Sequence, residues 1–89
     1  MSEPLWIDVR RQDEYADEHI RGHMHIPYEQ IIEKVDALNL DKDHPIALYC
    51  RTGRRSGIAQ ENLQQAGYTS VTNEGGLEQV QSRVQHKTS

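Results

Sequence analysis

Cysteine and phenylalanine are scarce in this sequence of 89 residues, which contains one cysteine, Cys50, and no phenylalanine. A single cysteine excludes an intramolecular disulfide framework, and with it the small secreted folds that depend on one. The apolar content of 35% and the mean hydropathy of -0.86 are both low. Because such a chain buries only a modest core, we expect one domain over residues 1–89, with a polar tail at residues 85–89.

Long apolar runs and a surplus of basic residues are also missing. No apolar run approaches the ~18 residues of a membrane span, and no leader is visible, so we expect no membrane partner. The chain as written is expected in the cytoplasm, or in the periplasm if an export signal has been removed.

The net charge of -4 and the pI near 5.6 argue against nucleic acid as a partner. No large apolar surface patch is readable, so we expect a monomer.

Short apolar runs alternate with helical patterns along the chain. The runs predict strands at residues 5–9, 23–27, 45–49 and 69–73. The patterns predict helices at residues 11–20, 28–38, 58–66 and 77–84, with a flexible turn at residues 74–76. This alternation is typical of an α/β domain with a mainly parallel central sheet flanked by helices. Residues 45–49 are apolar throughout, which indicates a strand buried on both faces.

Cys50 follows this buried strand, at the edge of the sheet where α/β proteins place their sites. A lone cysteine at a strand end is more often a small core residue than a nucleophile. The next seven positions contain three arginines and two glycines, which packing does not explain. Positive charge and a helix N-terminus both favour the thiolate form, so Cys50 is predicted to be a nucleophile. The loop whose backbone N–H groups would surround its sulfur or a bound anion consists of Arg51, Thr52, Gly53, Arg54, Arg55 and Ser56.

Two other kinds of site are disfavoured by spacing. A phosphatase or arsenate-reductase loop places arginine after five intervening residues, and that position is Ser56. The histidines at positions 19, 23 and 25 are separated by Gly22 and lack further ligands, so no metal site is expected. Acidic residues at positions 13–18 are interpreted as a solvated helix face, in which Glu14 is expected to pair with a nearby arginine.

An ordered set of short motifs extends from Trp6 to Leu77. In chain order they are Asp8-Val9-Arg10, Glu14-Tyr15, His19-Ile20-x-Gly22, Ile26-Pro27, Tyr49-Cys50 with a six-residue loop ending at Arg55, Gly67-Tyr68 and Gly75-Gly76-Leu77. In this set the chain resembles the single-domain rhodaneses, which are thiosulfate sulfurtransferases, and most of all their short phage-shock-protein E type. Two positions depart from the family pattern: His23 replaces a small residue, and Val80 replaces an aromatic residue.

The resemblance implies roles for individual residues. Cys50 would accept a sulfane sulfur and hold it as a persulfide, cradled by the loop amides. Arg54 and Arg55 would favour anionic thiosulfate. The supporting residues would be Asp8 and Arg10, which tie the first strand to its surroundings, and Gly75 and Gly76, which border the site.

The resemblance also implies the reaction. Sulfur would pass from thiosulfate to cyanide or to a thiol acceptor through Cys50, with release of sulfite and without metal or organic cofactor. A protein sulfur donor or acceptor is a further partner to consider. The alternative reading is a persulfide carrier or interaction module that is loaded by a partner enzyme.

Overall fold

The computed structural model describes residues 3–88, with side chains through Ser82. The strands are β1 (Leu5–Asp8), β2 (Met24–His25), β3 (Ile46–Cys50) and β4 (Val71–Gly76). The helices are α1 (Gln12–Asp17), α2 (Ile31–Asp36), α3 (Arg54–Gln65) and α4 (Leu77–Thr88), and a 3-10 turn (Tyr28–Gln30) leads into α2. Among the described residues, no helix combines the length and apolar character that crossing a bilayer requires.

The four strands form one parallel sheet in the order β2-β1-β3-β4. This confirms the predicted α/β class with a parallel sheet. All five residues of β3 are buried, as expected for an apolar strand in the middle of a sheet. The carboxyl ends of β1, β3 and β4 therefore lie at one edge, where Cys50 is the last residue of β3.

The sheet separates two groups of buried side chains. Alternate residues of a strand point to opposite faces, so Leu48 and Cys50 pack with the larger cluster, which includes Leu63 of α3. Tyr49 points to the other face, where it packs with Val80 of α4. The nucleophile candidate thus lies on the α3 face of the sheet, at the point where α3 begins.

Several predicted boundaries differ from the structure; helix α3, for example, begins at Arg54 rather than at Ile58. Helix α1 ends at Asp17 because Glu18 is extended, with its carbonyl accepting a hydrogen bond from Arg10 Nη2. The predicted turn at residues 74–76 belongs to β4, since Gly76 pairs with Cys50 across the sheet. Helix α4 continues to Thr88, into the predicted polar tail, because residues 85–88 contain no glycine or proline to stop it. Ser89 lies outside the described residues.

Candidate active site

Cys50 is the last residue of β3 and is followed by the loop of residues 51–56. Its side chain is fully buried, and Gly53 N–H donates to Sγ at 2.9 Å. Gly53 has a φ of 95°, a left-handed conformation that glycine adopts without steric cost. This conformation reverses the chain within three residues of the strand, so that α3 begins at Arg54 with its first turn facing the sulfur.

Several hydrogen bonds converge on Cys50 Sγ. Burial alone would raise the pKa of this thiol, because a buried thiolate loses hydration. Hydrogen bonds from the backbone and hydroxyl of Ser56 and from the backbone of Thr52 and Gly53 outweigh burial and lower the pKa of Cys50. Backbone N–H groups of Thr52, Gly53 and Ser56, three of the six loop residues, therefore favour the nucleophilic thiolate.

Arg55 is held by Glu14 of α1. Its Nη1 and Nη2 atoms donate to the two carboxylate oxygens at 2.6 and 3.0 Å. This bidentate hydrogen bond is the main reason that the pKa of Glu14 falls to about 2. The predicted pairing of Glu14 with an arginine is confirmed. Arg55 is consequently a neutralised group that ties α1 to α3, and its role in binding thiosulfate stays a prediction.

The two other loop arginines are exposed. Within the described part of the chain, neither Arg51 nor Arg54 has an ion pair or a side-chain hydrogen bond. Their guanidinium groups are therefore available to an anion that approaches the loop.

The Glu14–Arg55 pair predicts a pH-dependent contribution to stability. Replacing Glu14 with glutamine should lower the free energy of unfolding at neutral pH by roughly 1–3 kcal/mol. Because the pKa of Glu14 is lowered from 4.5 to about 2 on folding, the contribution is complete above pH 4.5 and is lost as the pH falls to about 2.

Urea denaturation at several pH values measures this difference. The matched control is Asp17→Asn, which removes an exposed carboxylate of the same helix that has no ion pair among the described residues. A wild-type advantage over Glu14→Gln that stays constant through the acidic range would contradict the assignment.

A cavity of about 440 Å³ opens beside the loop. Four of its eight lining residues are acidic and two are arginines. Arg51 and Thr52 of the loop line the cavity, whereas Cys50 itself is buried and does not. The lining residues are Arg10, Glu14, Asp17, Glu18, Arg51, Thr52, Leu77 and Glu78. A small substrate held in this cavity would meet the loop at Arg51 and Thr52.

Gly75 and Gly76 border the site at close range, as predicted. A Cβ atom on Gly76 would lie 2.4 Å from the carbonyl oxygen of Arg51, and one on Gly53 would lie 3.3 Å from Gly75 Cα. The first distance is far below van der Waals contact with a backbone atom. Glycine at position 76 therefore allows the end of β4 to support the loop directly.

Gly76→Ala should displace the loop, because the clash involves backbone atoms on both sides. We expect the free energy of unfolding to fall by about 2–3 kcal/mol, as in other overpacked sites, and sulfur transfer to fall at least tenfold. Gly22→Ala is the control: Gly22 has a φ of 90°, but a Cβ atom added there would meet no other atom within 4 Å, so only backbone strain is added. Equal activity in the two variants, measured under folded conditions, would contradict direct support of the loop by Gly76.

Asp8 and Arg10 form a buried ion pair at the end of β1. Arg10 Nη2 lies 2.8 Å from Asp8 Oδ2, and the two side chains are 5% and 0% exposed. Arg10 also donates to the carbonyl oxygen of Glu18. These contacts tie the first strand to the segment after α1, in the way predicted for the pair.

His23 and Val80, the two departures from the family pattern, do not line the cavity. His23 Nδ1 is hydrogen-bonded to the hydroxyl of Tyr49 at 2.8 Å, and its ring stacks on Trp6 with centroids 5.2 Å apart. Burial lowers the pKa of His23. Val80 is fully buried beside Tyr49. Both residues therefore belong to the packing of the sheet face opposite to Cys50.

His19 and His25, the other two histidines of this group, stack on one tyrosine. The rings of His19 and His25 lie 4.0 and 4.2 Å from that of Tyr15, centroid to centroid. In the part of the chain that the structure describes, no three His, Cys, Asp or Glu side chains are grouped to hold a metal ion.

Sequence analysis did not identify Asn73, although this residue contacts the Cys50 loop. It lies in β4, and its side-chain amide is hydrogen-bonded to Gly53, Ser56 and Gly75. The sequence feature that could have indicated this role is the position of Asn73 two residues before Gly75, because asparagine side chains commonly form hydrogen bonds to backbone groups in turns.

Comparison with known proteins agrees with this geometry. The family model described as Rhodanese-like domain matches residues 1–83. Thiosulfate sulfurtransferase PspE of Escherichia coli is 41% identical over 75 residues, which cover 84% of this chain and 72% of PspE. YrkF of Bacillus subtilis, named as a candidate sulfur carrier protein, is 34% identical over 67 residues, which cover 75% of this chain and 35% of YrkF.

A solved structure described as a rhodanese with anions from E. coli has the same fold. It superimposes with a TM-score of 0.80 at 40% identity, covering 86% of this chain and 91% of that one. Both the fold and the sequence over most of the chain thus resemble those of known rhodaneses. The chain belongs to the rhodanese family and is a sulfurtransferase.

Proposed function

We propose that the chain is a thiosulfate sulfurtransferase in which Cys50 carries the transferred sulfur as a persulfide. The observation that carries this proposal is the set of hydrogen bonds from Thr52, Gly53 and Ser56 to a buried sulfur whose pKa they lower. Such donors stabilise negative charge on sulfur without needing a metal or an organic cofactor. The similarity to PspE, whose name gives it as a thiosulfate sulfurtransferase, supports thiosulfate as the donor.

The first half of the reaction loads the enzyme. The Cys50 thiolate attacks the outer sulfur of thiosulfate, and a new S–S bond forms as the original S–S bond breaks. Sulfite leaves with the electron pair of the broken bond. The loop donors then stabilise the negative charge on the terminal sulfur of the persulfide.

The second half returns the enzyme to its starting state. The acceptor, either cyanide through its carbon lone pair or a thiolate through its sulfur, attacks the terminal persulfide sulfur. The persulfide S–S bond breaks and its electron pair returns to Cys50 as the thiolate. The product is thiocyanate or an acceptor persulfide, and no outside oxidant or reductant is needed.

Donor binding is assigned to the loop residues 51–56. Thiosulfate is a dianion, and exposed guanidinium groups attract it and donate hydrogen bonds to its oxygens. Arg51 and Arg54 supply this attraction most directly, because they have no ion pair among the described residues whereas Arg55 is neutralised by Glu14. Because four acidic residues line the same cavity as Arg51, the attraction for the dianion is confined to the loop end of that cavity.

Steady-state kinetics with thiosulfate and cyanide test this proposal. A covalent persulfide predicts ping-pong behaviour, with parallel double-reciprocal lines, and one equivalent of sulfite released when cyanide is omitted. Intersecting lines together with no sulfite in the absence of acceptor would contradict the persulfide pathway.

A persulfide carrier loaded by a partner enzyme is the second candidate. It is favoured by the similarity to YrkF, which is named as a candidate sulfur carrier protein. This candidate predicts that Cys50 acquires sulfur only when a cysteine desulfurase and cysteine are supplied. Saturable turnover with thiosulfate alone would argue against it.

A further inference from the structure

The side-chain amide of Asn73 joins three parts of the candidate site. Its Nδ2 donates to the carbonyl oxygen of Gly53 at 2.9 Å. Its Oδ1 accepts from the N–H of Gly75 at 3.0 Å and from the hydroxyl of Ser56 at 2.6 Å. One side chain thus connects β4 to the Cys50 loop and to the first turn of α3.

Two of the three residues that Asn73 holds, Gly53 and Ser56, also contact Cys50. Gly53 carries the N–H that lies 2.9 Å from Sγ, and Asn73 fixes the neighbouring carbonyl of the same residue. The Ser56 hydroxyl lies 3.6 Å from Sγ, within the distance of a hydrogen bond to sulfur. Asn73 is exposed and does not itself contact Cys50 in the structure, so its influence on the sulfur passes through Gly53 and Ser56.

The Ser56 hydroxyl has one proton and three acceptors within reach. Its oxygen lies 2.6 Å from Asn73 Oδ1, 3.1 Å from Gly53 O and 3.6 Å from Cys50 Sγ. A neutral thiol competes poorly for this proton, whereas a thiolate or persulfide anion attracts it strongly. Asn73 therefore holds the hydroxyl beside the sulfur in an orientation from which it can turn when charge appears.

We propose that Asn73 is a positioning residue for sulfur transfer, which fixes the Gly53 N–H toward Cys50 and holds the Ser56 hydroxyl within reach of its sulfur as that sulfur becomes negatively charged. The proposal rests on the proposed role of Cys50 as the nucleophile. The charged group that interacts with Cys50 from α3 is Arg55, and Glu14 of α1 balances its charge. The orientation of neutral donors by Asn73 is thus a separate contribution to the stability of the anion.

Asn73→Asp is the most informative variant, because it preserves the shape of the side chain. The carboxylate repels the Gly53 carbonyl that Nδ2 held, and it places negative charge near the sulfur. We expect the pKa of Cys50 to rise, and its alkylation by iodoacetamide at neutral pH to slow up to about tenfold. The control Asn62→Asp adds the same charge at an exposed position of α3 and should leave alkylation unchanged.

Asn73→Ala separates positioning from charge. It removes all three hydrogen bonds without adding a carboxylate, so we expect a smaller rise in the pKa of Cys50. In the thiosulfate–cyanide assay kcat should fall several-fold with little change in KM for thiosulfate, because Asn73 supports the reacting sulfur rather than the bound donor.

The rate of alkylation by iodoacetamide measures the reactivity of the Cys50 thiol directly, so the result does not depend on whether thiosulfate is the substrate. Unchanged pH profiles of alkylation in both Asn73 variants would overturn the proposal, and a lower melting temperature with those unchanged profiles would identify Asn73 as a purely structural residue. Slower alkylation without thiosulfate turnover in the wild type would support the proposal while contradicting the proposed donor.

Discussion

Replacing Cys50 with serine will abolish sulfur transfer. The proposed reaction needs a side chain that forms and breaks an S–S bond, and a hydroxyl does neither. We expect turnover of thiosulfate with cyanide to fall by at least about 10³-fold, the scale seen when an obligatory covalent nucleophile is removed. Since Cys50 is the only cysteine, no other thiol in the chain can substitute for it.

The serine variant should remain folded. Serine is slightly smaller than cysteine and finds hydrogen-bond partners in the same loop amides, so its hydroxyl is not left unpaired. Circular dichroism and thermal unfolding of the variant check that the loss of activity is chemical. A folded Cys50→Ser protein that retained turnover within tenfold of the wild type would remove Cys50 from the mechanism.

Replacing Asp8 with alanine will cause the largest loss of stability among these variants. It leaves the Arg10 guanidinium, which is 5% exposed, without its carboxylate partner. Breaking a buried ion pair in this way costs about 3–5 kcal/mol, because the remaining charge is both desolvated and unpaired. That is a large part of the ~5–15 kcal/mol that stabilises a typical domain, so the variant should be partly unfolded at moderate temperature.

An exposed ion pair of the same protein provides the control. Asp13 and Arg11 lie 3.4 Å apart with side chains that are 72% and 66% exposed, and Asp13→Ala should cost no more than about 1 kcal/mol. Urea denaturation of both variants measures the difference. If the Asp8→Ala protein is too unfolded for this measurement, Asp8→Asn can be used instead. It keeps the shape of the side chain, so its free energy of unfolding should fall by less. Similar losses for the two alanine variants would show that the buried pair is not the main support of β1.

Local patterns were sufficient to predict the fold and the position of the candidate nucleophile. The uninterrupted apolar run before Cys50 indicated a strand buried on both faces, and β3 is such a strand. The alternation of strands and helices then placed Cys50 at the carboxyl edge of a parallel sheet. Gly75 and Gly76 were predicted to border the site, and the close approach of Gly76 to Arg51 shows why no larger residue fits there.

Contacts between distant segments limited what the sequence revealed about the site. Three arginines in one loop look equivalent, but Arg55 is neutralised by Glu14, 41 positions away, while Arg51 and Arg54 are exposed. The partner of Arg55 depends on how α1 packs beside α3, and local sequence patterns do not predict this packing. Asn73 was missed for the same reason, because its partners Gly53 and Ser56 belong to another strand–helix connection.

Helix boundaries were also set by tertiary contacts. The charged pattern after β1 predicted a helix to Ile20, yet α1 ends at Asp17, where the extended Glu18 presents its carbonyl to Arg10. The requirement of a buried guanidinium for acceptors outweighs the helical preference of the last turn.

Intact mass spectrometry of the wild-type protein mixed with thiosulfate tests directly whether Cys50 forms a persulfide. Thiosulfate should add the mass of one sulfur atom, which disappears when cyanide is supplied and does not form on Cys50→Ser. A wild-type protein whose mass stays unchanged by thiosulfate, while its thiol remains reactive toward iodoacetamide, would contradict the formation of this persulfide.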